Sequence, residues 1–353
     1  MLVAACGLPE PTLVGAHVQL AMDPGLVPCG DAVGHLDAYV ESLAAAWRTP
    51  PPSGVELITY YWLDDADFES RTVCGENNCS LSGDVYATKL PHDHEVVHAV
   101  AHRFGLPPPF FIEGLAVAYQ FPADETIVEE ATAARVLAAI DEFEAFYLAA
   151  GDYSLAGAFV AFVIERHGIE KFMAVYARLD FLDGRGRISR VFSDVFGESL
   201  EAAAAAFERE QVPGCPAGGY RLERFECQAP ALDWDGVELG EHVTLACDQD
   251  GVIGPFGEGT VMLLRTLEVP ADGVYSIRVV GDVGAGDDGR ANSVELVSCG
   301  GCEGYVNVRV TAGPNAEVHA LPAGRYVVRL IGPVHVASGV GLHIERVADV
   351  EGP

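Results

Sequence analysis

Positive charge is what this chain has least of. Among 353 residues, 21 are Lys or Arg against 52 Asp or Glu, a formal charge of −31. Only two of the basic residues are lysines, Lys89 and Lys171. So negative a surface repels phosphate backbones, which excludes nucleic-acid binding as the function class and leaves room for a cationic substrate. Long hydrophobic runs are missing as well. No stretch of about 18 apolar residues exists, so no helix spans a membrane. No internal repeat relates one half of the chain to the other. Paired CxxC units are also lacking: Cys299-Gly-Gly-Cys302 stands alone, with no second pair at finger spacing, which argues against a structural zinc finger.

What is there begins with nine cysteines, at 6, 29, 74, 79, 215, 227, 247, 299 and 302. Cys6 closes the string Leu2-Val3-Ala4-Ala5-Cys6, which resembles a bacterial lipobox, in which the cysteine is acylated after signal cleavage. On that reading residues 1–6 are the remnant of an export signal and Cys6 is a lipid anchor; the plainer alternative is the tail of an ordinary signal peptide. Either way the expected location is outside the cytoplasm, as a cell-envelope lipoprotein or a secreted protein. Setting Cys6 aside leaves eight cysteines, an even number that suits disulfides in an oxidising compartment. Their connectivity does not follow from spacing. Cys74 and Cys79 flank a Gly-Glu-Asn-Asn turn and can pair locally, and Cys29 then needs another partner.

Texture divides the chain near Cys215. Before it, strand patterns at 16–23, 55–63 and 84–90 alternate with an amphipathic stretch at 30–47, for which Asp31 is the candidate N-cap. From 91 to about 210 the pattern is helical, with helices expected at 91–105, after the proline-rich 107–109, over a long 124–151 stretch, and at 155–168, 169–179 and 199–211. After 220, short alternating runs separated by Gly, Asp and Pro turns read as an all-β sandwich. The fold class expected is α+β, with a domain over 7–214 followed by a β-sandwich domain over 215–353.

The chemistry concentrates in "HEVVHAVAHRFG", His94 to Gly105. On a helix, residues four apart differ by about 40° in azimuth, so His94 and His98 lie on one face, as two imidazoles must to reach one tetrahedral metal. Glu95 stands one step round, within reach of an attacking water without being a ligand, where a general base belongs. The preceding strand, 84–90, is a candidate edge for an extended substrate. Among the remaining residues, Asp93 is expected to cap the helix, and His92 has no evident role. His102 falls eight residues after His94 and is expected to lie at the surface or behind the ligands.

His94-Glu95-Val96-Val97-His98 is the HExxH motif of zinc metallopeptidases. With Phe111-Ile112-Glu113-Gly114-Leu115-Ala116 it resembles the gluzincin branch, in particular the peptidase MA-like proteins with a thermolysin-like core. That resemblance extends over roughly residues 80–210, where "YSLAGAFVAFVIERHGIEKFMAVYARL" (153–179) is also similar. It implies a zincin domain built from a small sheet and a helical subdomain. It also implies Zn2+ held by His94, His98 and Glu113, with Glu95 activating water to cleave a peptide bond. Gly114 and Ala116 would let the two site helices pack closely. The metzincin spacing is excluded, because residue 101 is alanine and His102 comes four rather than six residues after His98. Related enzymes stabilise the oxyanion with a downstream tyrosine or histidine; Tyr153 and His167 are the candidates here, Tyr153 preferred.

In the second domain, "TLEVPADGVYSIRVVG" (266–281) and "LPAGRYVVRLIG" (321–332) resemble the pre-peptidase C-terminal β-sandwich found beside secreted proteases. Asp248, Asp250, Asp287 and Asp288 lie in acidic, glycine-rich turns that can bind calcium, but no full EF-type spacing is present and solvated turns are the simpler expectation. The aromatics Phe143 and Phe146 read as core. The expectation is therefore an exported zinc metallopeptidase acting on a peptide or protein substrate. The rival reading is a non-catalytic, zinc-binding surface lipoprotein that serves as a binding or adhesion module, and a third is a plain structural helix without metal.

Overall fold

Alternation of β-branched and aromatic residues builds the first sheet. The computed structural model describes residues 7–66, 68–75, 78–141, 148–256, 259–282 and 291–348; Cys6, Phe143, Phe146, Asp287 and Asp288 lie outside them. Five strands, β1 (Pro11–Val14), β2 (Val18–Met22), β3 (Ile58–Trp62), β4 (Cys79–Leu81) and β5 (Asp84–Ala87), form a mixed sheet in the order β1-β2-β3-β5-β4. β2, β3 and β5 run parallel, and the two outer strands are antiparallel to their neighbours. The expected edge strand is thus corrected: β5 is interior, and β4, pairing antiparallel with it, is the edge. The three residues of β4 and the short β1 escape a reading that looks for longer alternating runs.

Helices cover this sheet and extend away from it: α1 (Ala32–Ala46), α2 (Phe68–Arg71), α3 (Asp93–Ala101), α4 (Pro109–Tyr119), α5 (Ala133–Asp141), α6 (Tyr153–His167), α7 (Ile169–Tyr176), α8 (Arg185–Phe196) and α9 (Leu200–Glu210). Asp31 caps α1, accepting the Gly34 N–H at 2.9 Å. The long helix expected over 124–151 is not formed as such. Asp124 accepts the Thr126 N–H at 3.1 Å, and Thr132 Oγ1 accepts the Arg135 N–H at 3.2 Å. These side chains compete for backbone donors and delay the helix to Ala133. Helix α8, rich in Arg and Ser, was not anticipated.

Among the described residues nine more strands follow: β6 (Glu238–Leu245), β7 (Val252–Phe256), β8 (Thr260–Val269), β9 (Gly273–Gly281), β10 (Ser293–Ser298), β11 (Asn307–Thr311), β12 (Glu317–Leu321), β13 (Gly324–Pro333) and β14 (Ser338–Ala348). They form two antiparallel sheets, β11-β10-β13-β8-β7 and β12-β9-β14-β6, with a core of their own that includes Tyr275, Ile277, Val328, Leu330 and Ile344. The fold is mixed α+β with a β-sandwich region.

The two regions are not loosely strung. Ile253, Met262, Leu264, Val327 and Ile331 of the sandwich join the core of the helices and first sheet. A disulfide links Cys29, before α1, to Cys247, after β6. Cys74–Cys79, Cys215–Cys302 and Cys227–Cys299 are the other pairs. Such a set fits an oxidising compartment. Among the described residues no helix is long and apolar enough to cross a membrane.

Candidate metal centre

Helix α3 follows Pro91 and buries Val96, Val97 and Val100 in the core. That fixes its rotation and turns His94 and His98 to the opposite side. The helix tightens over 102–104 and stops at Gly105, whose φ of 130° suits glycine alone. The chain returns through prolines 107 and 108 into α4, where Pro109 occupies the first turn. Phe110, Phe111, Leu115 and Ala116 are buried, leaving Glu113 to face the histidines. Gly114 has a different task from the one expected. A Cβ there would stand 2.6 Å from Val160 and 2.7 Å from the Ala156 carbonyl, so it admits α6, not α3.

Three atoms converge. His94 Nε2 and His98 Nε2 are 3.1 Å apart, and each is 3.2 Å from Glu113 Oε2. The two rings meet edge to face, 4.8 Å between centroids. Among the described residues, this is the group of His, Cys, Asp or Glu side chains whose donor atoms lie close enough to share an ion. Ligand atoms about 2.0–2.1 Å from a tetrahedral zinc stand roughly 3.3 Å from one another, so the spacing fits zinc. The donor set fits as well, being two imidazoles and a carboxylate with lone pairs aimed at one point.

Electrostatics records the same convergence. Burial disfavours charge on the His94 ring, yet Glu113 and Glu95 beside it outweigh burial and hold its pKa up at about 9. The Glu113 carboxyl is held well below the usual carboxylate range: burial opposes this, and the two imidazoles prevail. Burial, helped by His94 and Lys89, holds His92 down at about 3. The carboxylates at this point thus favour positive charge on the imidazoles, as they would favour a cation.

A residue that sequence reasoning missed completes the arrangement. Gln120 Oε1 lies 2.8 Å from His94 Nδ1. An amide oxygen only accepts, so Nδ1 keeps its proton and Nε2 is the nitrogen left for a metal. Gln120 carries no motif signal; it is simply the first residue past the end of α4.

The cluster opens on a cleft of about 890 Å³. Glu95, buried at 7 % exposure, lines it beside the two histidines. The edge strand β4, with Val73, Cys74 and Asn78 before it, lines part of the cleft. Tyr153, opening α6, lines it too, its ring centroid 6.5 Å from that of His94. His167 ends the same helix, roughly 20 Å away at 1.5 Å per residue. It is held there by Glu198 at 2.7 Å and stacked on Phe196 at 4.4 Å, so it is not part of the site. His102 is exposed at the cleft rim, outside the three-atom cluster. Asp93 does not cap α3: it is buried, and its Oδ2 meets His35 Nε2 at 3.0 Å. Asp248 and Asp250 sit in a turn between β6 and β7 and belong to no such cluster.

Several solved structures resemble parts of the chain. The pre-peptidase C-terminal domain of a collagenase from Bacillus anthracis is 16% identical over 33% of this chain and 95% of that one, with a TM-score of 0.23. PliG, a periplasmic inhibitor of g-type lysozyme from Aeromonas hydrophila, is 11% identical over 33% of this chain and 94% of that one, at 0.22. Aminopeptidase A of Legionella pneumophila is 8% identical over 91% of this chain and 34% of that one, at 0.32. No protein-family model and no curated protein matches the chain.

Proposed function

We propose that the protein is a zinc-dependent peptidase of the gluzincin type, with a zincin-like domain over residues 7–214 and a β-sandwich domain over 215–353. The observation that supports this most is the meeting of His94, His98 and Glu113 within 3.2 Å of one another, with Glu95 buried next to them in an open cleft. A zinc ion held by those three would supply Lewis acidity and bring the pKa of a water down towards neutrality. Glu95 takes the proton of the attacking water and hands it to the departing amine. Tyr153, which lines the same cleft with its ring 6.5 Å from that of His94, is the candidate donor to the developing oxyanion. An extended peptide adds to the free edge of β4, its backbone paired and its scissile bond over Glu95. The four disulfides fit export, and the lipid anchor at Cys6 belongs to the same proposal.

Charge narrows the substrate. Among the described residues that line the cleft there is no Lys or Arg, while Glu95, Glu113 and Asp124 are there. Peptide segments with basic side chains near the scissile bond are therefore favoured over acidic ones.

The test is hydrolysis of a mixed peptide library by the zinc-loaded chain and its Glu95→Gln variant. Loss of at least about a hundredfold in rate, with zinc retained, is expected from removal of a general base. Equal activity in the two, or none in either, would leave the non-catalytic zinc-binding module as the reading.

A further inference from the structure

Gln120 holds His94, but what holds Gln120? Its own helix does so only partly. It is the residue at which α4 ends, with φ −56° and ψ 155°; its N–H still reaches the Ala116 carbonyl at 2.8 Å, and beyond it the chain is irregular until Ala133. A side chain at such a position takes its aim from tertiary contacts.

On one side α1 supplies them, the Tyr39 hydroxyl donating to the Tyr119 carbonyl at 2.9 Å and His35 lying 5.8 Å from the Phe121 ring; the rest come from the other end of the chain. Phe121 is 5 % exposed, its ring 5.8 Å from Phe225 and 6.2 Å from Phe256 of β7. The Asp124 carbonyl accepts the Gly218 N–H at 2.8 Å, and a Cβ on Gly218 would stand 2.7 Å from that oxygen. Glu125 Oε1 is 2.6 Å from Arg329 Nη1 of β13, and its other oxygen accepts from Asn307 of β11. Arg329 itself cannot shift. It is 2 % exposed and bound by Glu226, at 2.8 and 3.0 Å, and by Glu295 of β10, at 3.0 Å. A guanidinium gripped by three carboxylates is a rigid post.

We infer that the β-sandwich is a working part of the metal centre. Arg329, acting through Glu125, anchors the 120–125 segment so that Gln120 keeps His94 aimed at Glu113 and His98. Arg329 and Glu125 are positioning residues; neither touches metal or substrate. The inference rests on the zinc reading of the site, but the hydrogen bond it explains exists without metal.

The experiment uses the full chain with Glu125→Gln, Gln120→Ala and the double variant. Two quantities are measured: zinc affinity by chelator competition, and the ¹⁵N signal of His94 Nδ1 in metal-free protein. Gln120→Ala should weaken zinc about 10–100-fold, as loss of a group behind a ligand does. Glu125→Gln should weaken it about 3-fold or more, and should shift the Nδ1 signal in the direction that Gln120→Ala shifts it. The double variant should bind no more weakly than Gln120→Ala, because both changes break one chain of contacts. Asn307→Ala, which releases the other oxygen of Glu125, should act in the same direction and less. A Nδ1 signal unmoved by Glu125→Gln, or effects that multiply in the double variant, would overturn the inference. Wild-type protein that binds no zinc while its Nδ1 signal still answers to Glu125→Gln would overturn the zinc reading and keep the positioning role.

Discussion

Two clusters of charged side chains lie inside this protein, and they differ in one respect. Around Arg329, three carboxylates gather on a cation that the chain itself supplies. Around Glu113, two imidazoles and a carboxylate gather on a point to which no Lys or Arg among the described lining residues contributes. The first is electrically closed, and burial at 2 % exposure is tolerable because each guanidinium nitrogen donates to a carboxylate. The second is open, faces a cleft, and holds two imidazole nitrogens 3.1 Å apart, a separation that asks for a proton or a metal between them. We read one cluster as architecture and the other as the candidate site; glutamate is the residue type they share.

The contrast is easiest to break at Arg329. Arg329→Met takes from Glu226, 3 % exposed, the guanidinium that bonds it at 2.8 and 3.0 Å, and should cost about 3–5 kcal/mol of stability. Denaturant melts should show the loss in the zinc-free protein and a somewhat larger one with zinc, because the anchor of Gln120 goes with it; a loss confined to the zinc-loaded form would merge the two clusters into one. Next in size is the stabilisation by zinc. At a hundred times its dissociation constant it should add about 2.7 kcal/mol to the wild type and far less to His98→Ala. A His98→Ala variant that gains as much as the wild type would place the metal elsewhere.

The smallest effect concerns a third, ordinary pair. Asp23 Oδ2 meets Arg71 Nη1 at 2.6 Å and the Asp64 N–H at 2.9 Å. Burial pushes the Asp23 carboxyl up, but these donors outweigh it and hold its pKa below the ordinary value. A carboxylate with a depressed folded pKa stabilises above its unfolded pKa, about 3.9, and loses that contribution as pH falls through the folded value. The stability gap between wild type and Arg71→Met should therefore be open near pH 6–7 and close below about 4. A gap that widens on acidification would show that the pair does not act through Asp23.

What could be read from the sequence was what depends on local periodicity. A four-residue interval puts His94 and His98 on one face whatever surrounds them, and fifteen residues suffice to return Glu113. The alternation after 220 gave the sandwich, and the short loop between Cys74 and Cys79 allowed their pairing. What stayed hidden depends on distance in the chain. Gln120 has no periodic signature, because its aim is set by Phe256 and Arg329, more than a hundred residues away. The choice between Tyr153 and His167 needed the length of α6, and the identity of the edge strand needed β4, three residues long. Residues 124–132 look helical by pattern alone, but Asp124 and Thr132 redirect the backbone and Arg329 draws Glu125 away.

Elemental analysis of the purified chain, beside Glu113→Gln, tests the central claim most directly. The account predicts about one zinc per wild-type chain, and clearly less in the variant under the same dialysis. Wild-type protein refolded with zinc and found empty would contradict it, and the two histidines of "HEVVH" would then be neighbours on a helix and nothing more.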